Sequence, residues 1–248
     1  MEETIIKVDQ LSHRYSIQWA VKDISFEIPR RGIYGLLGSN GAGKSTLMNI
    51  ICGVLKQTQG TVLVKGIDTR EEPRAAKRHI GFLPQQPPLY KDLTVEEYLA
   101  YAADLHLMSS DSIPGAIDEV LELCQIAHFR KRLLKNLSGG YQQRVGIAQA
   151  IIHKPDIVIL DEPTNGLDPN QIQEIRHLIK DIAEERTVIL STHILTEVQA
   201  TCDHILMIER GKLVFMGTVD EFDNYIVPNA LLVTFKNAPS AEVLNGLA

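Results

Sequence analysis

The sequence predicts an α/β protein whose core is interrupted by an inserted α-helical segment. Three observations predict it. Short apolar runs without alternation suit strands that are buried on both faces. The pattern changes to helical periodicity between about residues 90 and 155, and short apolar runs return after Pro155. A chain of 248 residues is long enough for one large domain with such an insertion.

The N-terminal part predicts antiparallel β-structure. Thr4–Val8 is short and β-branched, and Val21–Ile28 alternates apolar and polar residues before Pro29 turns the chain. Ile33–Leu37 then forms an apolar run typical of a buried strand. A glycine-rich stretch follows, and the next segment predicts a helix with one apolar face, made of Leu47, Ile50, Ile51 and Val54.

The inserted segment contains three predicted helices. Thr94 and Glu97 have the spacing of a capping box, so that a helix begins there and continues through Tyr98–Leu107. A second helix covers Gly115–Cys124. A third begins at Ser138 and continues to Pro155, which stops it.

Strand patterns return in the last third of the chain. Ile157–Leu160 and Thr187–Leu190 are short apolar runs, and a helix lies between them, with Asp168 as its N-cap and Pro169 at its first position. Ile205–Glu209 and Lys212–Met216 predict a hairpin. The apolar stripe of the intervening helix is formed by Ile172, Ile175, Leu178, Ile179 and Ile182.

The predicted domain covers residues 1–227, with the helical subdomain at about 90–155. After Pro228, Ala230–Phe235 predicts a new strand. We expect residues 228–248 to begin a C-terminal extension that continues beyond this sequence.

Composition and charge narrow the class of function. The formal net charge is −6, which disfavours a protein that lives on nucleic acid. The N-terminus lacks the order of a signal peptide, and no apolar run approaches the ~18 residues that cross a bilayer. Three widely spaced cysteines predict core residues in a reducing cytosol.

The glycine-rich stretch fits the phosphate-binding pattern GxxxxGK[ST] of a P-loop NTPase with a RecA-like core. Its glycines let backbone N–H groups face phosphate oxygens, and the following helix adds its positive end. Lys44 would contact the β- and γ-phosphates, and the Ser45 hydroxyl would bind Mg²⁺. An ordinary glycine turn is the alternative, but a strand precedes the loop and a helix follows it. The predicted ATP-binding residues here are Gly38, Ser39, Asn40, Gly41, Ala42, Gly43, Lys44, Ser45 and Thr46.

Two carboxylates follow the strand Ile157–Leu160. Asp161 is placed to hold Mg²⁺ through its water shell, as in P-loop ATPases. Glu162 is placed to polarise an attacking water. A solvated acidic turn explains the pair equally well in isolation, but the phosphate-binding loop upstream favours the catalytic interpretation.

The segment Leu137–Arg144 (LSGGYQQR) resembles the LSGGQ-type signature of ATP-binding cassette (ABC) ATPases and lies at the usual distance before Asp161. Ser138, Gly139 and Gly140 open a helix whose N–H groups form a second anion site. The resemblance implies that two subunits pair head to tail, so that each signature closes over the ATP of the other subunit.

Other positions also resemble this family, and their roles are implied by the resemblance. Gln85 matches the glutamine that reaches Mg²⁺, with Gln86 directly after it as an alternative. Asp168 closes a loop that lies across the dimer seam, and His193 matches the histidine that contacts the γ-phosphate, although alone it suits a structural role. Tyr15 matches the aromatic residue that stacks on adenine, with Trp19 as the alternative platform.

The family implies an ATPase that drives transport. The motifs are similar to those of exporter-type subunits, which implies a second ATPase copy, an integral membrane permease and a place on the cytoplasmic face of the membrane. The alternative is a soluble ABC ATPase that acts on ribosomes or DNA, although such proteins usually carry two cassettes or a long coiled coil. A P-loop kinase or GTPase is more remote, because it would lack the signature. The sequence does not identify the cargo.

Overall fold

The computed structural model describes residues 4–29 and 31–225, and its described part is a mixed α/β protein as predicted. The predicted strand Ala230–Phe235 lies outside the described residues. The strands are β1 (Thr4–Tyr15), β2 (Gln18–Pro29), β3 (Gly32–Leu37), β4 (Gln59–Val64), β5 (Ile67–Asp68), β6 (Ile80–Leu83), β7 (Ile157–Asp161), β8 (Thr187–Thr192), β9 (His204–Glu209) and β10 (Lys212–Thr218). The α-helices are α1 (Lys44–Ile51), α2 (Pro73–Lys77), α3 (Val95–Leu105), α4 (Ile113–Leu123), α5 (Gly139–Ile151), α6 (Pro169–Ala183), α7 (Leu195–Thr201) and α8 (Val219–Tyr225).

Two sheets organise these elements. The first is antiparallel, with the order β2-β1-β4-β5. The second has the order β10-β9-β3-β8-β7-β6, and its neighbours are parallel except for the β9–β10 hairpin. The antiparallel N-terminal part and the hairpin are therefore confirmed.

The register of the parallel strands brings three chain segments to one sheet edge. Leu37, the last residue of β3, lies beside Thr192 at the end of β8. Asp161, the last residue of β7, lies beside Ser191. Because parallel strands end on the same side, the loops that follow β3, β7 and β8 meet there.

Each face of the parallel sheet packs on its own hydrophobic cluster. One cluster joins the antiparallel sheet to α1 and includes Ile6, Val62 and Met48. The other lies under the helical insertion and α6, and it includes Leu99 and Ile147. The three cysteines, Cys52, Cys124 and Cys202, are free and buried, as expected of core residues.

The helix signals were partly correct. The capping box of Thr94 and Glu97 is formed, because each side chain bonds to the backbone N–H of the other residue. Asp168 caps α6 by accepting from the N–H groups of Asn170 and Gln171. Ser138 is also the N-cap residue of α5, but its hydroxyl makes no capping hydrogen bond.

Several predicted boundaries were wrong. Val54 lies beyond the end of α1 and is 63% exposed, because the chain turns at Gly53 with a positive φ. Leu107 has a φ of 59° and ends the predicted Tyr98–Leu107 helix early. Lys154, with a φ of 54°, separates α5 from Pro155. The sequence patterns also missed β4, β5, α2, β6, α7 and α8.

No helix within residues 4–29 and 31–225 has the length and apolar character of a membrane span.

Candidate functional site

The loops at the carboxyl edge of the parallel sheet open into a cleft of about 710 Å³. The N-terminal sheet contributes one wall, and the loop after β3 contributes the floor. The lining residues are Tyr15, Gln18, Trp19, Ala20, Asn40, Gly41, Gly43, Lys44, Ser45, Thr46, Gln85, Glu162, Asn165 and His193. The cleft therefore brings together residues that are up to 178 positions apart in the sequence.

The loop after β3 requires glycine at two positions for different reasons. At Gly38, a Cβ atom would lie 2.4 Å from the carbonyl oxygen of Ile208, so no side chain fits. Gly43 has a φ of 109°, and a Cβ there would lie 2.6 Å from the carbonyl oxygen of Ala20. These close approaches fix the loop against β2 and β9 and start α1 at Lys44.

Lys44 follows this loop as the first residue of α1, and its side chain is buried. Its Nζ donates hydrogen bonds to the carbonyl oxygens of Gly38 at 2.7 Å and Ser39 at 3.3 Å. Burial lowers the pKa of Lys44, while the carboxylates of Glu162 and Asp161 act in the opposite direction. A cation enclosed by backbone oxygens and acidic groups can bind an anion at the start of α1.

A serine that the sequence patterns missed organises the two carboxylates. The Ser191 hydroxyl donates a hydrogen bond to Asp161 Oδ1, and its own oxygen, Ser191 Oγ, accepts from the backbone N–H of Glu162 at 2.9 Å. Asp161 is buried, whereas the Glu162 side chain lines the cleft. The polar pair Ser191-Thr192, at the end of an otherwise apolar strand, is the sequence signal that could have revealed this role.

Glu162 adopts a strained backbone conformation and meets His193. Its φ is 48°, in the left-handed region that a residue with a Cβ adopts at some energetic cost. Glu162 Oε1 lies 3.1 Å from His193 Nδ1, at the start of the loop after β8. The acidic pair is thus divided between a buried carboxylate and one that faces the cleft.

The cleft also contains the two aromatic candidates. Tyr15 is 54% exposed, and its ring meets that of His13 edge-on at 4.8 Å. Trp19 is less exposed, and the guanidinium of Arg14 lies 5.5 Å from its ring centroid. Both rings line the cleft, and Tyr15 presents the more open surface.

A sequence model of the family described as "ABC transporter" matches residues 21–165. The chain belongs to the ABC transporter family. It is an ATP-binding subunit of this family and an ATPase.

Relatives and a solved structure agree with this membership. The bacitracin transport ATP-binding protein BcrA of Bacillus licheniformis is 40% identical over 212 residues, which are 85% of this chain and 68% of that protein. The lantibiotic transport ATP-binding protein SrtF of Streptococcus pyogenes is 36% identical over 221 residues, with 89% and 93% covered. A dimeric ATP-binding cassette in a post-hydrolysis state with ADP and Pi superposes with a TM-score of 0.78 at 27% identity, covering 86% of this chain and 98% of that chain.

The predicted signature segment does not line the cleft of its own chain. Ser138 and Gly139 are exposed at the start of α5, and neither they nor Gly140 line the cleft. Asp168 also lies outside the lining, and its carboxylate caps α6. These predicted ATP-binding residues are therefore separate from Lys44 and Glu162 within one ABC subunit.

Oxygen ligands suited to a divalent cation are present near Lys44. Ser45 and Gln85 line the cleft, and Asp161 is close enough for its charge to raise the pKa of Lys44. Gln86 is absent from the lining, so Gln85 is the better placed glutamine. Hydroxyl, amide and carboxylate oxygens are the ligands that Mg²⁺ prefers, and therefore these residues fit it.

Proposed function

We propose that this ABC subunit hydrolyses Mg-ATP in a head-to-tail pair with a second copy and thereby drives export through a separate membrane permease. The convergence of Lys44, Glu162 and His193 in one cleft is the observation that carries the catalytic part. The bacitracin and lantibiotic relatives are named for transport, and the similarity of the motifs to those of exporter-type subunits supports export as the direction.

The proposed catalytic roles follow from the position of each group. The N–H groups of the loop between Gly38 and Ser45 and the Lys44 ammonium bind the phosphates of ATP. Glu162 orients the attacking water and accepts its proton, and His193 holds the γ-phosphate in line. Bound Mg²⁺, held by Ser45, Gln85 and Asp161, would neutralise charge on the β- and γ-oxygens.

A second copy supplies what one cleft lacks. Ser138 and Gly139 are exposed at the start of α5, and the Ser138 side chain makes no capping hydrogen bond there. The N–H groups at this helix end can therefore bind an anion. A helix N-terminus favours phosphate, and in a head-to-tail pair this end would close over the ATP of the partner. We assign Gly140 and Asp168 to the same seam.

The permease would dock on the helical insertion, on the cytoplasmic face of the membrane. Tyr90 and Tyr101 are exposed, and their rings meet edge-on at 5.3 Å. Leu105 is 64% exposed on the same helix, α3, as Tyr101. Exposed apolar side chains gathered in one region suit a protein partner.

The catalytic proposal is tested by Glu162→Gln. The amide keeps the shape of the side chain but is a poor base, so the turnover rate should fall by about 10²- to 10⁴-fold. ATP should then hold two copies together, which size-exclusion chromatography detects. Glu185→Gln, at an exposed glutamate, is the matched control and should behave as the unchanged protein. A Glu162→Gln protein that stays monomeric and turns over normally would overturn the assignment.

The transport proposal is tested by purification from detergent-solubilised membranes of the source cells. A tagged subunit should co-purify with a multi-span membrane protein, and Tyr101→Asp should weaken this association without changing basal ATPase activity. Recovery of ribosomal or DNA-repair proteins instead would favour the soluble alternative.

A further inference from the structure

A buried carboxylate lies beside the catalytic cleft, outside its lining. Glu197, in the first turn of α7, is only 8% exposed. The hydroxyl of Thr164 lies 3.0 Å from both of its carboxylate oxygens, and the hydroxyl of Thr192 donates to Oε2 at 2.8 Å. The hydrogen-bond partners of this carboxylate in the described chain are therefore two threonine hydroxyls, one in the loop after β7 and one at the end of β8.

These two threonines flank the catalytic groups. Thr164 lies two residues after Glu162, in the loop that follows β7. Thr192 directly precedes His193, and its hydroxyl oxygen also accepts from the backbone N–H of Ile194 at 3.1 Å. The carboxylate thus connects the loop of Glu162 to Thr192, and the Thr192 hydroxyl connects in turn to Ile194 on the other side of His193.

The remaining freedom of His193 makes this support important. The His193 side chain is 42% exposed, whereas that of Glu162 is 11% exposed. The contact between Glu162 Oε1 and His193 Nδ1, at 3.1 Å, joins two side chains carried by separate loops. Removing a buried acceptor would release the two threonine hydroxyls, and each loop would gain conformational freedom.

We propose that Glu197 is a positioning residue that sets the geometry between Glu162 and His193. The proposal rests on the catalytic roles proposed above for these two residues. Glu197 does not line the cleft, so nucleotide affinity should not depend on it. Its loss should instead lower kcat, because a displacement of about 1 Å in a reacting group can reduce a rate by about 100-fold.

The test is a double-mutant cycle between Glu197 and His193, with ATPase kinetics measured for each variant. Glu197→Ala should lower kcat by about 10- to 100-fold with the KM for ATP unchanged within about twofold. In the His193→Ala background, Glu197→Ala should have little further effect on kcat. Each change disrupts the same arrangement of Glu162 and His193, so their effects should not add. Glu197→Gln, which keeps the shape and one acceptor oxygen, should recover part of the lost rate.

Further variants distinguish a loss of folding from a loss of positioning. Thr164→Val and Thr192→Val each remove one hydroxyl, so they test the same network even if Glu197→Ala does not fold. Each should lower kcat with KM retained. Thr201→Val, one turn further along α7, is the matched control for a buried polar residue and should retain the rate.

The possible outcomes distinguish a failure of this inference from a failure of the proposed function on which it rests. If His193→Ala retains full kcat, the proposed catalytic role of His193 fails, and the inference fails with it. If His193→Ala is slow but the effect of Glu197→Ala is fully additive, or appears in KM alone, the positioning role is wrong while the catalytic assignment stands.

Discussion

Lys44 Nζ lies 3.9 Å from Glu162 Oε1, although the two residues follow strands that are separated by β8. The same ammonium group donates to the carbonyl oxygens of Gly38 and Ser39. The cation thus faces two backbone carbonyl oxygens and the carboxylate of the proposed base. Phosphate oxygens can replace these partners, because they offer a greater negative charge to the same ammonium group.

Lys44→Ala should abolish most ATPase activity. The variant removes the cation that faces the phosphates, and loss of one preorganised donor costs about 10²- to 10³-fold in rate. ATPase rates and nucleotide binding by fluorescence would measure both effects. Lys131→Ala, at an exposed lysine, is the control. Full activity in Lys44→Ala would contradict the assignment of the loop as the phosphate site.

Gly139→Asp should separate folding from dimerisation. Gly139 is exposed at the first position of α5, and a Cβ added there meets no atom within 4 Å. An aspartate near a helix N-terminus stabilises the helix by about 0.3–1 kcal/mol, so the monomer should fold normally. In the proposed pair, however, the carboxylate would repel the phosphates of the partner's ATP. We expect a melting temperature that is equal or slightly higher, loss of the ATP-dependent dimer and loss of ATPase activity.

The matched change is Gly139→Ala, which adds a Cβ without charge. It should affect dimerisation much less than the aspartate does. Equal activity of Gly139→Asp and the unchanged protein would show that this end of α5 does not face ATP.

Tyr15→Ala should weaken ATP binding more than Trp19→Ala does. Tyr15 presents the more exposed ring and is supported edge-on by His13. One face of Trp19 is occupied by the guanidinium of Arg14. Loss of a stacking contact worth about 1–3 kcal/mol should raise the Kd for ATP by about 5- to 150-fold. Tyr15→Phe keeps the ring and should bind ATP normally. A larger effect of Trp19→Ala would show that Trp19, and not Tyr15, stacks on adenine.

Local signals in the sequence predicted those features that depend on neighbouring residues. The capping box at Thr94, the cap at Asp168 and the glycine loop before Lys44 each lie within a few positions, and all three formed. The apolar runs without alternation likewise predicted strands that are buried on both faces, as β7 and β8 are. These features follow from short-range sterics and hydrogen bonding, which a sequence pattern records directly.

The missed features depend on long-range packing. Ser191 connects to Asp161, and Glu197 connects to Thr164, across 30 and 33 positions. Such contacts depend on which strands become neighbours in the sheet, and the hydrophobic periodicity of the sequence does not predict them. The end of α1 at Ile51, before Val54, also escaped the helical pattern, because the positive φ of Gly53 overrides a favourable apolar position.

The stability of the protein should fall between pH 6.5 and 4 because of His153. Burial lowers the pKa of His153 to about 4, helped by the stacked ring of His106 at 3.5 Å. The unfolded chain takes up a proton below its ordinary pKa of about 6.5, whereas the folded protein does not until near 4. Protonation therefore favours the unfolded state in this window, by about 1–2 kcal/mol at pH 5. Urea unfolding at pH 7 and pH 5 measures the loss. His153→Gln should reduce the difference, since an amide does not titrate, and an unchanged pH dependence in this variant would assign the loss to other groups.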